Sequence, residues 1–255
     1  MTHDERVLAV IIGRAGSKGL PGKNALPLCG KPMICHSIGT ALGSSTVDRT
    51  IVSTDGSEIA AAARAMNIEV IARPASLADD RATVDSAVRH AVCEAEFAAT
   101  IIVILYANVP VRPADLIDRA VRMLVESGAD SVQSYCDVGK YHPHWMVRLE
   151  EGGRVVAHHA NGSYRRQDLP PLRIPDGGVI AVRRESLFVP ASGDPHAFLG
   201  ADRRGIETRP GEVVDVDDAQ DFLFAESILS RRTPMPAPVP APSPAPSPEL
   251  EQPAS

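Results

Sequence analysis

A glycine-rich basic loop follows the first apolar segment of the chain. Val7–Ile12 has the continuous hydrophobicity of a strand that is buried on both faces. Residues 13–24 then hold four glycines. Interleaved with them are cationic and hydroxyl side chains, namely Arg14, Ser17, Lys18 and Lys23. Because glycines let the backbone approach a ligand and exposed N–H groups and cations attract anions, this loop predicts a triphosphate-binding site.

Two common phosphate loops do not match this segment. A Walker A loop requires glycine where Ser17 stands and serine or threonine where Asn24 stands. The dinucleotide fingerprint requires glycine at the position of Ala15. A surface turn rich in glycine and lysine is the remaining alternative, but so many cationic and hydroxyl groups directly after a strand favour a phosphate site.

An acidic pair near the end of the chain is the second candidate site. Asp215 and Asp217 lie two residues apart in the apolar stretch 213–217. On an extended segment, that spacing places both carboxylates on one face. Two carboxylates together with phosphate oxygens and water are a common set of Mg²⁺ ligands. Alternatively, Asp217 or Asp218 caps the helix that follows, and the residues alone leave these two interpretations equally open.

Strands and helices alternate along most of the chain. Strands are predicted at 49–53, 69–72, 100–105, 130–134 and 178–182, with a strand end at 212–217. Helices are predicted at 33–42, 57–66, 83–97, 113–127 and 218–229. This alternation indicates right-handed βαβ units and a mostly parallel sheet, whose ligands bind beyond the carboxyl ends of the strands. The glycine loop, 73–83 and 106–112 all fall at such ends.

Two regions depart from this alternation. Residues 138–175 are rich in His, Arg, Pro and Gly with irregular apolar spacing, which predicts a β-arm that leaves the sheet. From about residue 232 to 255, proline alternates mainly with alanine, a composition that cannot pack a core and predicts a disordered tail. Residues 1–231 are therefore predicted to form one α/β domain.

Composition narrows the class of protein. A formal net charge of −6 argues against nucleic-acid binding, because phosphate-backbone affinity needs clustered Lys and Arg. The four cysteines have no C-x-x-C spacing and predict reduced thiols in a cytoplasmic protein. The polar N-terminal residues do not have the pattern of a signal peptide, and no apolar run is long enough to predict a membrane span.

Residues 14–24 resemble the opening signature R-x-G-S-K-G-[IL]-P-G-K-N of the acylneuraminate cytidylyltransferases, the CMP-sialic acid synthetases. Three further segments resemble motifs of this family in the same order. Residues 73–83 are similar to R-P-x-x-L-A-x-D-x-A-S, and 105–112 to L-Q-P-T-S-P-L-R. Residues 215–226 are similar to D-x-D followed by D-F-x-x-A-E. The sequence departs from the family mainly near the expected sugar, where Tyr106 replaces glutamine, Asn108 replaces threonine and Asp176 replaces asparagine.

The resemblance implies a Rossmann-like three-layer nucleotidyltransferase fold, with a mostly parallel central sheet and a β-arm for dimerisation. It also implies a Mg²⁺-dependent reaction in which CTP and a nonulosonic (sialic-acid-like) sugar give the CMP-sugar and pyrophosphate. The sugar's anomeric hydroxyl would attack the α-phosphorus in line. The alternatives are a CMP-Kdo-type or other sugar nucleotidyltransferase, and a non-catalytic nucleotide-binding relative.

The same resemblance implies roles for individual residues. Those expected at the nucleotide are Arg14, Ser17, Lys18, Lys23, Asn24, Arg73 and Thr83. Arg14, Ser17 and Lys18 would hold the β- and γ-phosphates, and Lys23 the α-phosphate. Asp215 and Asp217 would bind the metal, and the residues expected to act in catalysis are Arg14, Lys23 and Asp217. The residues expected at the sugar are Tyr106, Arg166, Arg173 and Asp176. Two alternatives stay open, because Thr83 could be an ordinary helix cap and Arg112 could be a structural residue rather than a ligand contact.

Overall fold

A seven-stranded sheet forms the centre of the computed structural model, which describes residues 5–16, 19–160, 162–189 and 194–232. The strands of this sheet, in chain order among all strands, are β1 (Val7–Ile12), β4 (Arg49–Thr54), β5 (Glu69–Ala72), β6 (Ile101–Tyr106), β7 (Ser131–Asp137), β10 (Arg173–Arg183) and β11 (Arg203–Thr208). Two short hairpins supply the others, β2 (Pro27–Leu28) with β3 (Lys31–Pro32), and β8 (Val147–Leu149) with β9 (Val155–Ala157). The sheet order is β11-β7-β10-β6-β1-β4-β5, and β10 alone runs antiparallel to its neighbours.

Helices cover both faces of the sheet and make the predicted three layers. They are α1 (Ile34–Leu42), α2 (Ser57–Ala65), α3 (Val84–Glu94), α4 (Leu116–Ser127), α5 (Arg184–Leu187) and α6 (Ala219–Arg232). Side chains of α1, α2 and α4 pack on one face, while those of α3 and α5 pack on the other. Every residue of β1 is buried, as expected of a central strand with apolar layers above and below. A smaller apolar cluster joins α6 to the first hairpin and to the buried Val214 and Val216.

Most predicted elements are confirmed within a few residues, and the differences lie at the β10 end of the sheet. Strand β11 was not predicted, because it is an edge strand in which only Ile206 and Thr208 are buried. The predicted strand end at 212–217 is wrong. Val213 and Val214 make only isolated bridges there. Strand β10 starts at Arg173, inside the predicted arm, so the part outside the sheet is shorter than 138–175.

The long strand β10 bends where it reaches the carboxyl ends of its neighbours. Its register with β7 shifts between Pro175 and Ile180. Asp176 stabilises this bulge, because its carboxylate accepts hydrogen bonds from Ser134 Oγ (2.5 Å) and Gly178 N (2.9 Å). The predicted tail lies outside the described residues. Of the helices that the structure describes, none combines the length and the apolar character needed to cross a bilayer.

Candidate active site

A cleft of about 440 Å³ is lined by the segments that follow β1, β5 and β6, together with the acidic segment. Seven of the residues predicted from the sequence line it: Arg14, Lys23, Asn24, Arg73, Thr83, Tyr106 and Asp217. They come from four segments that are far apart in the chain and that meet only because parallel strands end at one edge. Ser17 and Lys18 lie outside the described residues.

Glycines fit the loop closely against the acidic segment. A Cβ atom added at Gly19 would lie 2.4 Å from the backbone oxygen of Asp217, so a larger residue would push the two segments apart. Gly22 has φ of 65°, in the left-handed region that favours glycine, and it leads into a short 3₁₀ turn at Lys23–Ala25. The loop therefore both needs glycine and delivers Lys23 towards Asp217.

The two cations in the described part of the loop are held by carboxylates. Lys23 Nζ lies 2.6 Å from Asp217 Oδ1 and also donates to the backbone oxygen of Val216 at 2.9 Å. Its side chain is only 13% exposed. Arg14 pairs with Asp80 Oδ1 at 2.9 Å. Both cations point into the cleft, where a polyphosphate could replace or join their protein partners.

Asn24 is buried beneath these cations. Its Nδ2 donates to the backbone oxygen of Arg14 at 3.0 Å, which fixes the orientation of the amide. Within the described part of the chain no group donates to its Oδ1, although this atom is buried. A buried acceptor without a donor is costly, and because this oxygen has almost no exposed surface, a ligand in the cleft would reach it only if the loop rearranged.

The other two nucleotide candidates line the far wall of the cleft. Arg73 donates to Ser53 Oγ (3.2 Å) and to the backbone oxygen of Ser53 (2.7 Å), at the end of β4. Burial lowers the pKa of Arg73, and the nearby Asp55 partly opposes this shift. Thr83 caps α3 by accepting a hydrogen bond from Ser86 N at 3.4 Å. It also faces the cleft, so the capping role and a ligand contact are compatible.

The acidic segment alternates as predicted, with Val214 and Val216 buried and Asp215 and Asp217 on the opposite side. The helix cap is formed by other residues. Asp218 Oδ1 accepts from Asp221 N at 3.0 Å, while Asp221 Oδ2 accepts from Asp218 N at 3.2 Å and from Asp217 N at 3.0 Å. The side chain of Asp217 is therefore not needed as a cap.

Asp215 is the most perturbed acid of the site. Although part of the residue is exposed, protein atoms crowd its carboxyl group, and this desolvation together with the charge of Asp217 raises its pKa to about 6. Lys23 and Arg112 act in the opposite direction but do not cancel the shift. Asn108 Nδ2 donates a hydrogen bond to Asp215 Oδ1.

The two carboxylates fit a divalent cation held jointly with a ligand. The described residues contain no group of three or more His, Cys, Asp or Glu side chains placed to hold a metal on their own. Asp215 and Asp217 instead form a repelling pair of oxygen ligands beside a cleft that can hold phosphate. Mg²⁺ is commonly bound by one or two carboxylates plus substrate phosphates, so the donor set suits it.

The predicted sugar-binding residues do not all lie in this cleft. Tyr106 lines it, and its pKa is raised by burial and by the charge of Asp215. The carboxylate of Asp176 is engaged by the hydrogen bonds that stabilise the β10 bulge, and it also accepts a hydrogen bond from Thr208 Oγ1 at 2.5 Å. Arg166 and Arg173 flank Asp137 at 3.1 and 3.3 Å, and Arg166 lines a separate cleft of about 310 Å³ at the base of the arm.

Arg112 is a structural residue. It is only 4% exposed and donates to the backbone oxygens of Gly178 (2.6 Å) and Tyr106 (2.9 Å), among other acceptors. Burial lowers its pKa to about 9, against the opposing charges of Asp215 and Asp176. The guanidinium thus ties the strand end to the β10 bulge.

Sequence reasoning missed two partners in the site. Asp80 holds Arg14, and Asn108 holds Asp215. Asp80 lies in the loop that follows β5, and Asn108 lies in the loop that follows β6. Their location just after strands of the sheet was the signal that the sequence offered. Neither pairing could be read from spacing, because the partners are 66 and 107 residues apart.

Comparison with known proteins agrees with this arrangement. Residues 8–175 match the family model described as cytidylyltransferase. An N-acylneuraminate cytidylyltransferase of Streptococcus agalactiae is 30% identical over 85% of this chain and 51% of its own length. A CMP-N,N'-diacetyllegionaminic acid synthase of Legionella pneumophila is 36% identical over 59% of this chain and 66% of its own length. The chain spans about half the length of the first of these relatives.

A solved structure shares the fold. A CMP:2-keto-3-deoxy-manno-octonic acid synthetase complexed with CTP superposes with a TM-score of 0.69 over 90% of this chain and 100% of that one, at 18% identity. The three-layer sheet with its glycine loop and acidic segment is therefore a nucleotidyltransferase fold. The chain belongs to the cytidylyltransferase family.

Proposed function

We propose that this chain transfers the cytidylyl group of CTP to a nonulosonic acid, giving a CMP-sugar and pyrophosphate. The observation that carries the proposal is the contact of Lys23 with Asp217, which joins the glycine loop to the acidic segment at the cleft. The two relatives named above, an N-acylneuraminate cytidylyltransferase and a CMP-N,N'-diacetyllegionaminic acid synthase, support this substrate class.

The residues of the cleft would act mainly by positioning and charge neutralisation, as in phosphoryl transfer generally. The anomeric hydroxyl of the sugar loses its proton and its oxygen bonds to the α-phosphorus, while the bond between that phosphorus and the oxygen bridging to the β-phosphate breaks. Lys23 would stabilise the charge that develops on the α-phosphate. Arg14, with Ser17 and Lys18, would hold the β- and γ-phosphates that leave as pyrophosphate.

Mg²⁺ is part of the proposal, with Asp215 and Asp217 as its protein ligands. When bound, it would neutralise phosphate charge and polarise the oxygens bound to it. Lys23 contacts Oδ1 of Asp217, so this carboxylate would serve both the lysine and the cation.

Recognition of the base and the sugar follows from the remaining side chains. Asn24, Arg73 and Thr83, which all line the cleft, would contact the cytosine base. Tyr106 and Asp176 are proposed on the sugar side. Arg166 and Arg173 would serve its carboxylate, a group that matches a guanidinium fork.

A homodimer that forms through the arm would bring Arg166 and Arg173 to a sugar-binding site. The arm exposes apolar side chains that a monomer would leave in water, including Leu149 at 74% and Tyr164 at 96% exposed. The pairing of two arms would bury them. Sedimentation at micromolar concentration tests this, and a monomer would contradict it. A cytoplasmic location, where CTP is made, stays a prediction.

The central experiment is pyrophosphate release with CTP, Mg²⁺ and a panel of sialic, legionaminic and pseudaminic acids, with Kdo tested alongside them. Turnover of at least one of the three nonulosonic acids is expected, together with its loss in Lys23→Ala and Asp217→Ala variants. Lys31→Ala is the matched control, because Lys31 is exposed on the first hairpin, away from the cleft. Undiminished activity in the first two variants would overturn the roles assigned. Turnover of Kdo alone would favour a CMP-Kdo-type enzyme, and CTP binding without turnover would favour a non-catalytic relative.

A further inference from the structure

We propose that Asn108 is a positioning residue that orients the Asp215 carboxylate towards the divalent cation. The inference rests on the proposed function, because the cation is part of it. Asn108 lies in the loop that follows β6, and its Nδ2 donates to Asp215 Oδ1 and, at 3.4 Å, to the backbone oxygen of Val216. Its backbone oxygen accepts from Val216 N at 2.8 Å. One residue thus holds both the chain and the carboxylate.

The acidic segment depends on such attachments because it is not a strand of the sheet. Besides Asn108, it is joined to the same loop by an isolated bridge, in which Val214 N donates to the backbone oxygen of Val111 at 3.2 Å. This bridge places the backbone but does not fix a side-chain torsion. The amide of Asn108 is what restricts the Asp215 carboxylate to one orientation.

The neutral charge of this donor matters. Asp217 is paired with the cation Lys23, whereas Asp215 receives its hydrogen bond from an uncharged amide. The buried guanidinium of Arg112 is directed at carbonyl and hydroxyl oxygens instead. An amide orients a carboxylate without cancelling its negative charge, so the charge remains for a metal. Outer partners of this kind are a common means of fixing metal ligands.

The other oxygen of Asp215 accepts no hydrogen bond from the described residues. It lies beside Gly177, where an added Cβ atom would come within 3.5 Å of Oδ2. Gly177 itself has φ of 75°, which favours glycine, so the β10 bulge brings no side chain against this oxygen. With Oδ1 held by Asn108 and Oδ2 without a hydrogen-bond donor in the described part of the chain, Asp215 offers one defined oxygen to a cation.

The positioning role of Asn108 can be tested without turnover by measuring Mn²⁺ binding to the full chain. Binding is monitored by the decrease of the electron paramagnetic resonance signal of free Mn²⁺. Asn108→Ala is expected to raise the Kd for Mn²⁺ about tenfold. Asn108→Leu, which keeps the volume but removes the donor, is expected to do the same. Gln220→Ala is the matched control, because it removes an exposed amide three residues after Asp217 and is expected to leave the Kd unchanged. In turnover, the Mg²⁺ requirement should rise while kcat at saturating Mg²⁺ changes little.

The inference is overturned if either Asn108 variant keeps the wild-type unfolding midpoint and binds Mn²⁺ within twofold of the wild-type Kd. A different result would implicate the proposed function itself. If the wild type binds no Mn²⁺, or if Asp215→Asn and Asp217→Asn bind it as well as the wild type does, then the metal role assigned to these two carboxylates is wrong.

Discussion

Two aspartates in different regions of this molecule have pKa values that are shifted in opposite directions. Asp118, in the first turn of α4, accepts five hydrogen bonds from Ser44, Ser45 and Thr46 in the loop after α1. Burial opposes its ionisation, but these donors outweigh it and lower the pKa to about 2. Asp215 has one side-chain donor, and desolvation by the surrounding protein together with the like charge of Asp217 raises its pKa to about 6.

The difference separates a structural carboxylate from one that we propose to be a metal ligand. A carboxylate whose lone pairs are filled by the protein stabilises the fold and has little left to offer a substrate. A desolvated carboxylate beside another acid lowers the stability of the empty protein and gains most from a cation. The predictions below use this contrast, beginning with the largest expected effect.

Asp215→Asn should remove most of the activity while leaving the fold intact. Loss of one electrostatic contact at the reacting phosphate typically costs about 10²–10³-fold in rate. The amide is nearly isosteric and lacks the unfavourable charge, so the urea midpoint of the ligand-free variant at pH 8 should equal or exceed that of the wild type. Pyrophosphate release and urea unfolding measure the two effects. Activity within fivefold of the wild type would contradict the assignment of Asp215 as a ligand.

Asp118→Asn should do the reverse. The amide keeps one acceptor oxygen but turns an N–H₂ group towards the hydroxyl donors, so we expect a loss of about 1–2 kcal/mol in the free energy of unfolding, which allows for partial exposure of the site. Turnover at 25 °C should stay within twofold of the wild type, because α4 packs its apolar side against the sheet and Asp118 does not line the cleft. A large fall in kcat with unchanged stability would invert the comparison.

Asp221→Ala is expected to lower both the stability and the turnover, each by a moderate amount. Asp221 is structural by its bonds, because it accepts from Asp217 N and Asp218 N at the start of α6. Loss of such a cap costs about 1 kcal/mol of stability. Since Asp217 also loses an anchor, turnover should fall a few-fold. Gln220→Ala, one residue earlier on the helix, controls for a general effect of the first turn and should change neither quantity.

How far the sequence predicts these features depends on how local they are. Strand β5 has its predicted limits, 69–72, because its apolar residues and flanking turn form a compact signal. Strand β11 could not be predicted, because its first three residues, Arg203, Arg204 and Gly205, are all exposed and do not alternate between apolar and polar side chains. The glycine loop and the Asp215–Asp217 pair are also local patterns.

Contacts between distant segments were beyond the sequence. The bond from Asn108 to Asp215 depends on the bridge that sets Val214 against Val111, and no spacing encodes that register. The occupation of Asp176 by Ser134 and Thr208 likewise depends on β10 lying beside β7 and on β7 pairing with β11. Sequence patterns therefore located the candidate residues, while the sheet order decided which of them share a cleft.

The smallest effect expected is a difference in the pH dependence of stability, measured by urea unfolding with EDTA present so that no divalent cation is bound. The folded pKa of Asp118 lies below its ordinary value, so its contribution is complete above about pH 4 and is lost as the pH falls towards 2. The folded pKa of Asp215 lies above its ordinary value, so its ionisation lowers stability above about pH 6, and this penalty disappears as the pH falls from 6 towards 4.

The two variants should therefore differ from the wild type in separate pH windows. The deficit of Asp118→Asn should persist from pH 8 to about pH 4, whereas the small gain of Asp215→Asn should be present at pH 8 and absent at pH 4. Solvent screening of the partly exposed Asp215 keeps that gain to roughly a few tenths of a kcal/mol. If the gain instead grew as the pH fell from 6 to 4, its carboxylate would be stabilised by the empty protein, and the contrast with Asp118 would not hold.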